Sequence, residues 1–361
     1  MTTTAHASRV HDLAHPADST PTDAAITLSG VRRSYTTASR LGLSGRRVAT
    51  ESYEAVRGID LTVRRGELFA LLGTNGAGKT STVELIEGLA KPSAGEIRVL
   101  GHDPVSERAR VRHRTGVVLQ NSGFPSTLTV DEMARMWHGT LTRPLPVDDM
   151  LAAVDLADRA TVETSKLSGG ERRRLDVALA LMADPEVLLL DEPTTGLDPE
   201  SRRTIWGLIT ALVERGSAVL LTTHYLEEAE QLADRIAIMH EGVIAREGTL
   251  ADIVADAPSR ITFTRPEGLD LGALEVPGAR VDASGQPSTG TRLSGQRNNG
   301  THAGQRAPGT VLIETPTLQD TLARVLAWAG DEPLGSLNAR AASLEQVFLA
   351  IADQPLADDH A

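Results

Sequence analysis

The chain contains no cysteine, which excludes disulfides, Cys-ligated zinc, iron–sulfur clusters and a thiol nucleophile together. Any chemistry must come from oxygen, nitrogen and bound ions. No stretch approaches the roughly 18 consecutive apolar residues of a membrane-spanning helix. The first residues lack both the basic segment and the apolar segment of a secretion signal, so 1–24 reads as a disordered polar tail and the protein is expected in the cytoplasm. Positive charge is also short. Lys and Arg number 36 against 48 Asp and Glu, a net charge of −12, which argues against a nucleic-acid-binding surface. What is present is ordinary for a soluble globular protein: 361 residues, 40% hydrophobic and 23% charged, enough for two or three domains.

Residues 26–36 and 59–72 alternate or run apolar as strands do, with a Gly/Ser/Arg-rich inserted loop over 37–52. Apolar positions recur at helical spacing from Thr80 to Ala90, and Pro92 with Gly95 breaks the pattern. The region 126–163 reads as mostly helical, with Leu151, Val154 and Leu156 on one face, and Glu171 to Ala183 reads as a helix. The short apolar runs Val187–Leu190 and Ala218–Leu221 fit buried parallel strands. A β/α alternation over 26–249 follows. Beyond 258 the character changes to two strands, ITFTRPEGLDL and VLIET, and two amphipathic helices, TLQDTLARVLAWAG and SLEQVFLAIA, which suggests a small α+β domain. Residues 282–310 carry six glycines and no aromatic, a composition expected to remain a flexible insertion.

The sharpest local signal is Gly73, Thr74, Asn75, Gly76, Ala77, Gly78, Lys79 and Thr80, a G-x-x-x-x-G-K-[ST] loop between an apolar run and a helix. Glycines let successive backbone N–H groups turn inward around phosphates, and the following helix, with Ser81 in its first turn, adds its positive end. Lys79 supplies a full charge, one of only three lysines in the chain, and Thr80 a hydroxyl for Mg²⁺. Val187-Leu-Leu-Leu-Asp191 is an apolar strand ending on Asp191 and Glu192. Strand C-termini of a parallel sheet face the ligand crevice, so Asp191 can join the Mg²⁺ shell and Glu192 can polarise a water. The strand SAVLLTT delivers His224 to the same edge. Leu167-Ser168-Gly169-Gly170-Glu171, just before a helix, makes a second anion-binding nest. Taken alone it would read as a serine N-cap followed by flexible glycines. With the first loop it implies that two nucleotides bind or that two chains share each one.

Phosphate loop, Gln120, LSGGE, LLLDEP, Gly196-Leu197-Asp198 and His224 resemble, in that order, the nucleotide-binding subunit of an ATP-binding cassette (ABC) transporter over about residues 26–250. The resemblance implies an α/β fold of the P-loop NTPase class: an ABC ATPase domain over 25–257, with a β/α core and a helical subdomain near 121–167, followed by a small C-terminal α+β domain over 258–361. It implies ATP and Mg²⁺ as ligands and a head-to-tail homodimer with two ATP molecules at the interface. Each would be held by one copy's phosphate loop and the other's Ser168, Gly169, Gly170 and Glu171. Glu192 would then be the general base, Gln120 a Mg²⁺ and γ-phosphate sensor, and Asp198 a contact across the dimer. Tyr35 is the expected adenine-stacking aromatic, with Tyr53 as a rival and strand packing as the plain alternative. ERRRLD, DEPTTGLDPESR and SLEQVFL further resemble ATPases of the daunorubicin-resistance type, which implies export of a drug or hydrophobic compound by a separate membrane permease at the inner face of the cell membrane. An importer subunit, a non-transport ABC ATPase acting on nucleic acid and a non-hydrolysing regulator are the alternatives. The nucleic-acid reading lacks the coiled-coil insertions, zinc cysteines or tandem cassettes it would need.

Overall fold

The computed structural model describes residues 23–36, 52–120, 123–265, 269–282 and 309–353. The expected N-terminal tail up to residue 22, the inserted loop over 37–51 and the C-terminal insertion over 283–308 lie outside the described residues. Two compact units divide the chain: one takes the described residues up to Asp252 and those from Ala350, the other Ile253–Leu349.

In the first unit the order is β1 (Ala24–Thr36), β2 (Ser52–Arg64), β3 (Leu68–Gly73), α1 (Lys79–Ile86), β4 (Ala94–Val99), α2 (Arg108–Val111), β5 (Thr115–Val118), α3 (Val130–His138) and α4 (Val147–Ala153). It continues through α5 (Gly169–Leu181), β6 (Val187–Asp191), α6 (Pro199–Glu214), β7 (Ala218–Thr223), α7 (Leu226–Leu232), β8 (Arg235–His240), β9 (Val243–Gly248) and the start of α8 (Leu250–Val254), whose last two residues are counted in the second unit. A three-stranded antiparallel sheet has the order β2-β1-β4, and a six-stranded sheet the order β5-β6-β7-β3-β8-β9. The larger sheet is parallel except for β9 at its edge. Strands β3, β6 and β7 are buried at every position, as parallel strands covered on both faces must be.

Side chains alternate across this sheet and divide the core in two. Leu188 and Leu190 of β6, with Val219 and Leu221 of β7, join a cluster completed by Met133, Leu151, Leu175 and Ile205 from the helices. Their neighbours Val187, Leu189, Ala218 and Leu220 face the other way, into a cluster with Ile26, Val63, Val83 and Ile97. The β/α alternation expected over 26–249 is observed from β3 to β8, whereas β1, β2 and β4 form the antiparallel sheet and β9 follows β8 directly.

Three expectations are corrected. The strand read over 59–72 is the end of β2 and the whole of β3, separated by a turn at Arg65 and Gly66, where Gly66 has a φ of 64°. Region 126–163 is less helical than its pattern suggests, with α3 and α4 joined by turns and irregular chain and followed by a short 3-10 turn, Ala157–Arg159. The second unit contains β10 (Ser259–Thr264), β11 (Arg280–Asp282), β12 (Thr310–Thr315), α9 (Leu318–Ala329) and β13 (Gly335–Arg340), followed by α10 (Leu344–Ala352). Its sheet runs β11-β12-β10-β13 around Ile261, Phe263, Val311, Ile313 and Val325. The strand read through ITFTRPEGLDL stops at Thr264.

Candidate nucleotide site

The sheet order brings the C-terminal ends of β5, β6, β7 and β3 side by side, and each end carries a polar group that the sequence singled out. The loop after β3 closes tightly. A side chain on Gly78 would meet the Ala55 carbonyl oxygen at 2.3 Å, and its φ of 107° is itself a glycine conformation. Lys79 is only 6% exposed, and its Nζ donates to the carbonyls of Gly73 at 2.7 Å and Thr74 at 3.2 Å. Burial draws its ammonium below the usual lysine range, and the Glu192 and Asp191 carboxylates oppose that shift. Asn75 and Gly76, at the loop tip, are exposed.

Asp191 is buried at the end of β6. One carboxylate oxygen accepts from Thr80 Oγ1 at 3.1 Å, the other from Thr222 Oγ1. A carboxylate oxygen and a hydroxyl converging at the start of α1 are hard oxygen donors. They suit a magnesium ion that keeps its other positions for phosphate and water oxygens. Among the described residues no cluster of three or more His, Asp or Glu marks a metal held by protein alone.

Glu192 has a φ of 51°, a left-handed backbone that L-residues adopt at a cost and that recurs at functional positions. Its N–H donates to Thr222 O at 2.9 Å. Its carboxylate lies 3.1 Å from His224 Nδ1 and accepts from Thr195 Oγ1 at 3.4 Å. This turn is fixed by Arg173, the middle arginine of ERRRLD. Its guanidinium donates to the carbonyls of Asp191 at 2.6 Å, Glu192 at 2.7 Å and Pro193 at 2.8 Å, and also to that of Leu119. Gln120, exposed two residues beyond β5, is next to that last anchor. Arg173 is 8% exposed. Burial lowers its pKa, countered by Asp176, Asp191 and Glu192. A signal for it existed in the helical period, which puts Arg173 four residues before the buried Val177.

Ser168 is the N-cap of α5 in a capping box. Glu171 N donates to Ser168 Oγ at 3.2 Å, and Ser168 N donates to Glu171 Oε2 at 2.8 Å. Arg159 donates to the other Glu171 oxygen at 2.6 Å. That bond, followed by the cap, pulls the Glu171 carboxyl down to about 2. Asp198 caps α6, accepting from the N–H groups of Glu200 and Ser201 at 3.0 Å each and from Ser201 Oγ at 2.6 Å.

The two tyrosines pair across β1 and β2. Tyr35 OH is 3.0 Å from Ser81 Oγ, with Arg33 over its ring at 4.5 Å. Tyr53 OH donates to Gly76 O at 3.3 Å. Tyr53 also borders a cavity of about 600 Å³ shared with Arg57, Asn75, Gly76, His240 and Glu241.

The family model for ABC transporters matches residues 56–195, a span that includes the loop, Arg173 and the Asp191–Glu192 turn. A daunorubicin resistance ATP-binding protein of Streptomyces coeruleorubidus is 40% identical over 270 residues, covering 72% of this chain and 81% of the relative. A Nod factor export ATP-binding protein I of Burkholderia lata is 43% identical over 204 residues, 54% of this chain and 65% of the relative. Among solved structures, a dimeric ATP-binding cassette in a post-hydrolysis state with ADP and Pi superposes with a TM-score of 0.55 at 25% identity, covering 62% of this chain and 98% of its own. With one sheet edge carrying the phosphate loop, the acidic pair and the histidine, the chain belongs to the ABC transporter family as an ATP-binding subunit.

Proposed function

We propose that this subunit binds Mg-ATP, hydrolyses it within a head-to-tail dimer of two copies, and thereby drives a separate membrane permease that exports a drug or other hydrophobic compound. The names of the relatives, one of daunorubicin resistance and one of Nod factor export, support the direction and the class of cargo. Among the described residues no helix is long and apolar enough to cross a membrane. The transport path is assigned to the permease, with this subunit docked on its cytoplasmic side.

In this reading the N–H groups of Thr74 to Gly78 and the start of α1 take the β- and γ-phosphates, and Lys79 leaves its two loop carbonyls for phosphate oxygens. Thr80, Asp191 and Gln120 hold Mg²⁺, which when bound offsets the charge of the phosphates. Glu192 accepts the proton of the attacking water, and its 3.1 Å contact orients His224 so that the ring's other nitrogen faces the γ-phosphate. The base stacks on Tyr35, on the face away from Arg33. Ser168, Gly169 and Gly170 of the second copy close over the γ-phosphate, with Glu171 keeping Ser168 in place, and Asp198 contacts the other copy.

The observation that carries the proposal is the meeting of Lys79, Thr80, Asp191, Glu192 and His224 at one sheet edge. Glu192→Gln tests it, because the amide keeps the shape of the carboxylate but cannot take the proton. The expected result is ATP bound at parental affinity and not hydrolysed. Hydrolysis at the parental rate removes Glu192 from the base role.

A further inference from the structure

One buried carboxylate has no part in the scheme above. Glu228, on α7, is 1% exposed, and its hydrogen-bond partners are all neutral. Thr194 Oγ1 and Trp206 Nε1 donate to Oε1, the indole at 3.2 Å, and Thr223 Oγ1 donates to Oε2. A carboxylate withdrawn from water is costly even when its lone pairs are met, and an apolar side chain of similar size would fill the space without that cost. Stability alone therefore gives no reason for an acid here.

The three partners belong to three segments of the nucleotide site. Thr223 closes β7 and precedes His224, and its Oγ1 also accepts the N–H of Tyr225 at 2.9 Å, so its hydroxyl clamps the chain on both sides of the histidine. Thr194 lies two residues beyond Glu192, and its carbonyl accepts Leu197 N at 3.1 Å in the turn that ends at Asp198. Trp206 stands on α6, the helix that Asp198 caps.

We propose that Glu228 is a positioning residue for ATP hydrolysis, tying His224 to the Thr194–Asp198 turn through the hydroxyls of Thr223 and Thr194. This rests on the reading of the site as an ATPase. One carboxylate, accepting on both oxygens, gives the two segments a common frame. A shift of Asp198 at the dimer contact then moves the histidine beside the γ-phosphate. A glutamine does not reproduce this frame, because its oxygen accepts on one side only and its amide nitrogen, donating to the hydroxyl on the other, turns that hydroxyl's own proton away.

The test uses the full chain with Mg-ATP and compares the parent with Glu228→Gln, Thr223→Val, Thr223→Ser and the Glu228→Gln/Thr223→Val pair. Turnover, binding of a fluorescent ATP analogue and thermal unfolding are measured for each. Glu228→Gln and Thr223→Val are expected to lose roughly tenfold or more in kcat, with KM and analogue affinity within about twofold of the parent. Thr223→Ser restores the hydroxyl and is expected to regain most of the loss. The paired variant is expected to be no slower than the slower single one, since both break one network. An active parent with unchanged kcat in folded Glu228→Gln overturns the coupling alone, as do losses that multiply in the pair. If Glu228→Gln does not fold, the near-isosteric Thr223→Val decides by the same kcat. A parent that neither binds nor hydrolyses ATP overturns the site reading and this inference with it.

Discussion

Lys79 and Glu192 are single residues held in costly states, one by burial of its charge and one by its backbone. The Lys79 ammonium is buried against two loop carbonyls, a position that lowers its pKa and that, in the proposed role, an incoming phosphate would relieve. Lys79→Ala is expected to weaken equilibrium binding of a labelled ATP analogue by at least about tenfold, the scale of one charge-assisted hydrogen bond. Unchanged affinity would mean that the loop is not the phosphate site. Glu192 stores backbone strain, with a φ of 51°. Glycine removes that strain and alanine does not, so Glu192→Gly should be more stable than Glu192→Ala by about 1 kcal/mol in chemical denaturation, although both lack the base. The reverse order would show that the turn is relaxed.

At the scale of elements, α5 does the most to assemble the site. Ser168, just before its first residue, carries the cap, and Arg173 in its second turn grips the ends of β5 and β6. A lysine has three donors on one atom and cannot span these carbonyls. Arg173→Lys is therefore expected to cost about 2–4 kcal/mol of unfolding free energy, read by chemical denaturation; a loss below about 0.5 kcal/mol would contradict the clamp. The capping box makes a second prediction. Because the folded Glu171 carboxyl lies near 2 rather than at the ordinary 4.5, its contribution is complete above about pH 4.5 and fades as pH falls towards 2. Thermal unfolding of Glu171→Gln across that range should show less acid sensitivity than the parent; equal sensitivity would place the acid response elsewhere.

How far the elements could be read depended on whether their signals are local. The phosphate loop, LSGGE and the acidic pair are contiguous, and each meets its chemistry within one turn, so they were legible at once. The histidine needed only the end of an apolar strand. Arg173 was not legible as functional because it stands among three arginines of which it alone reaches both strand ends, a fact of tertiary packing. Glu228 is likewise one of three glutamates in LEEAEQL. Strand β13, exposed along its whole length, has no apolar alternation to announce it. The break between β2 and β3 has a local signal, the run Arg64-Arg65-Gly66-Glu67 without an apolar residue, but the apolar strand patterns on either side of it read as one.

On the scale of the whole molecule, the account turns on sharing. A phosphate loop and a second nest at Ser168 in one chain are explained together if each ATP lies between the loop of one copy and the nest of another. Nucleotide then holds the dimer together and hydrolysis releases it, so a variant that binds but does not hydrolyse should accumulate as a dimer. The direct measurement is light scattering on Glu192→Gln with and without ATP, in the presence of its permease if the isolated subunits associate too weakly, and on the same variant carrying Ser168→Arg. The account predicts an ATP-dependent dimer for Glu192→Gln, and no dimer once the arginine fills the nest while ATP still binds each loop. A double variant that dimerises as well as the single one would contradict the shared site.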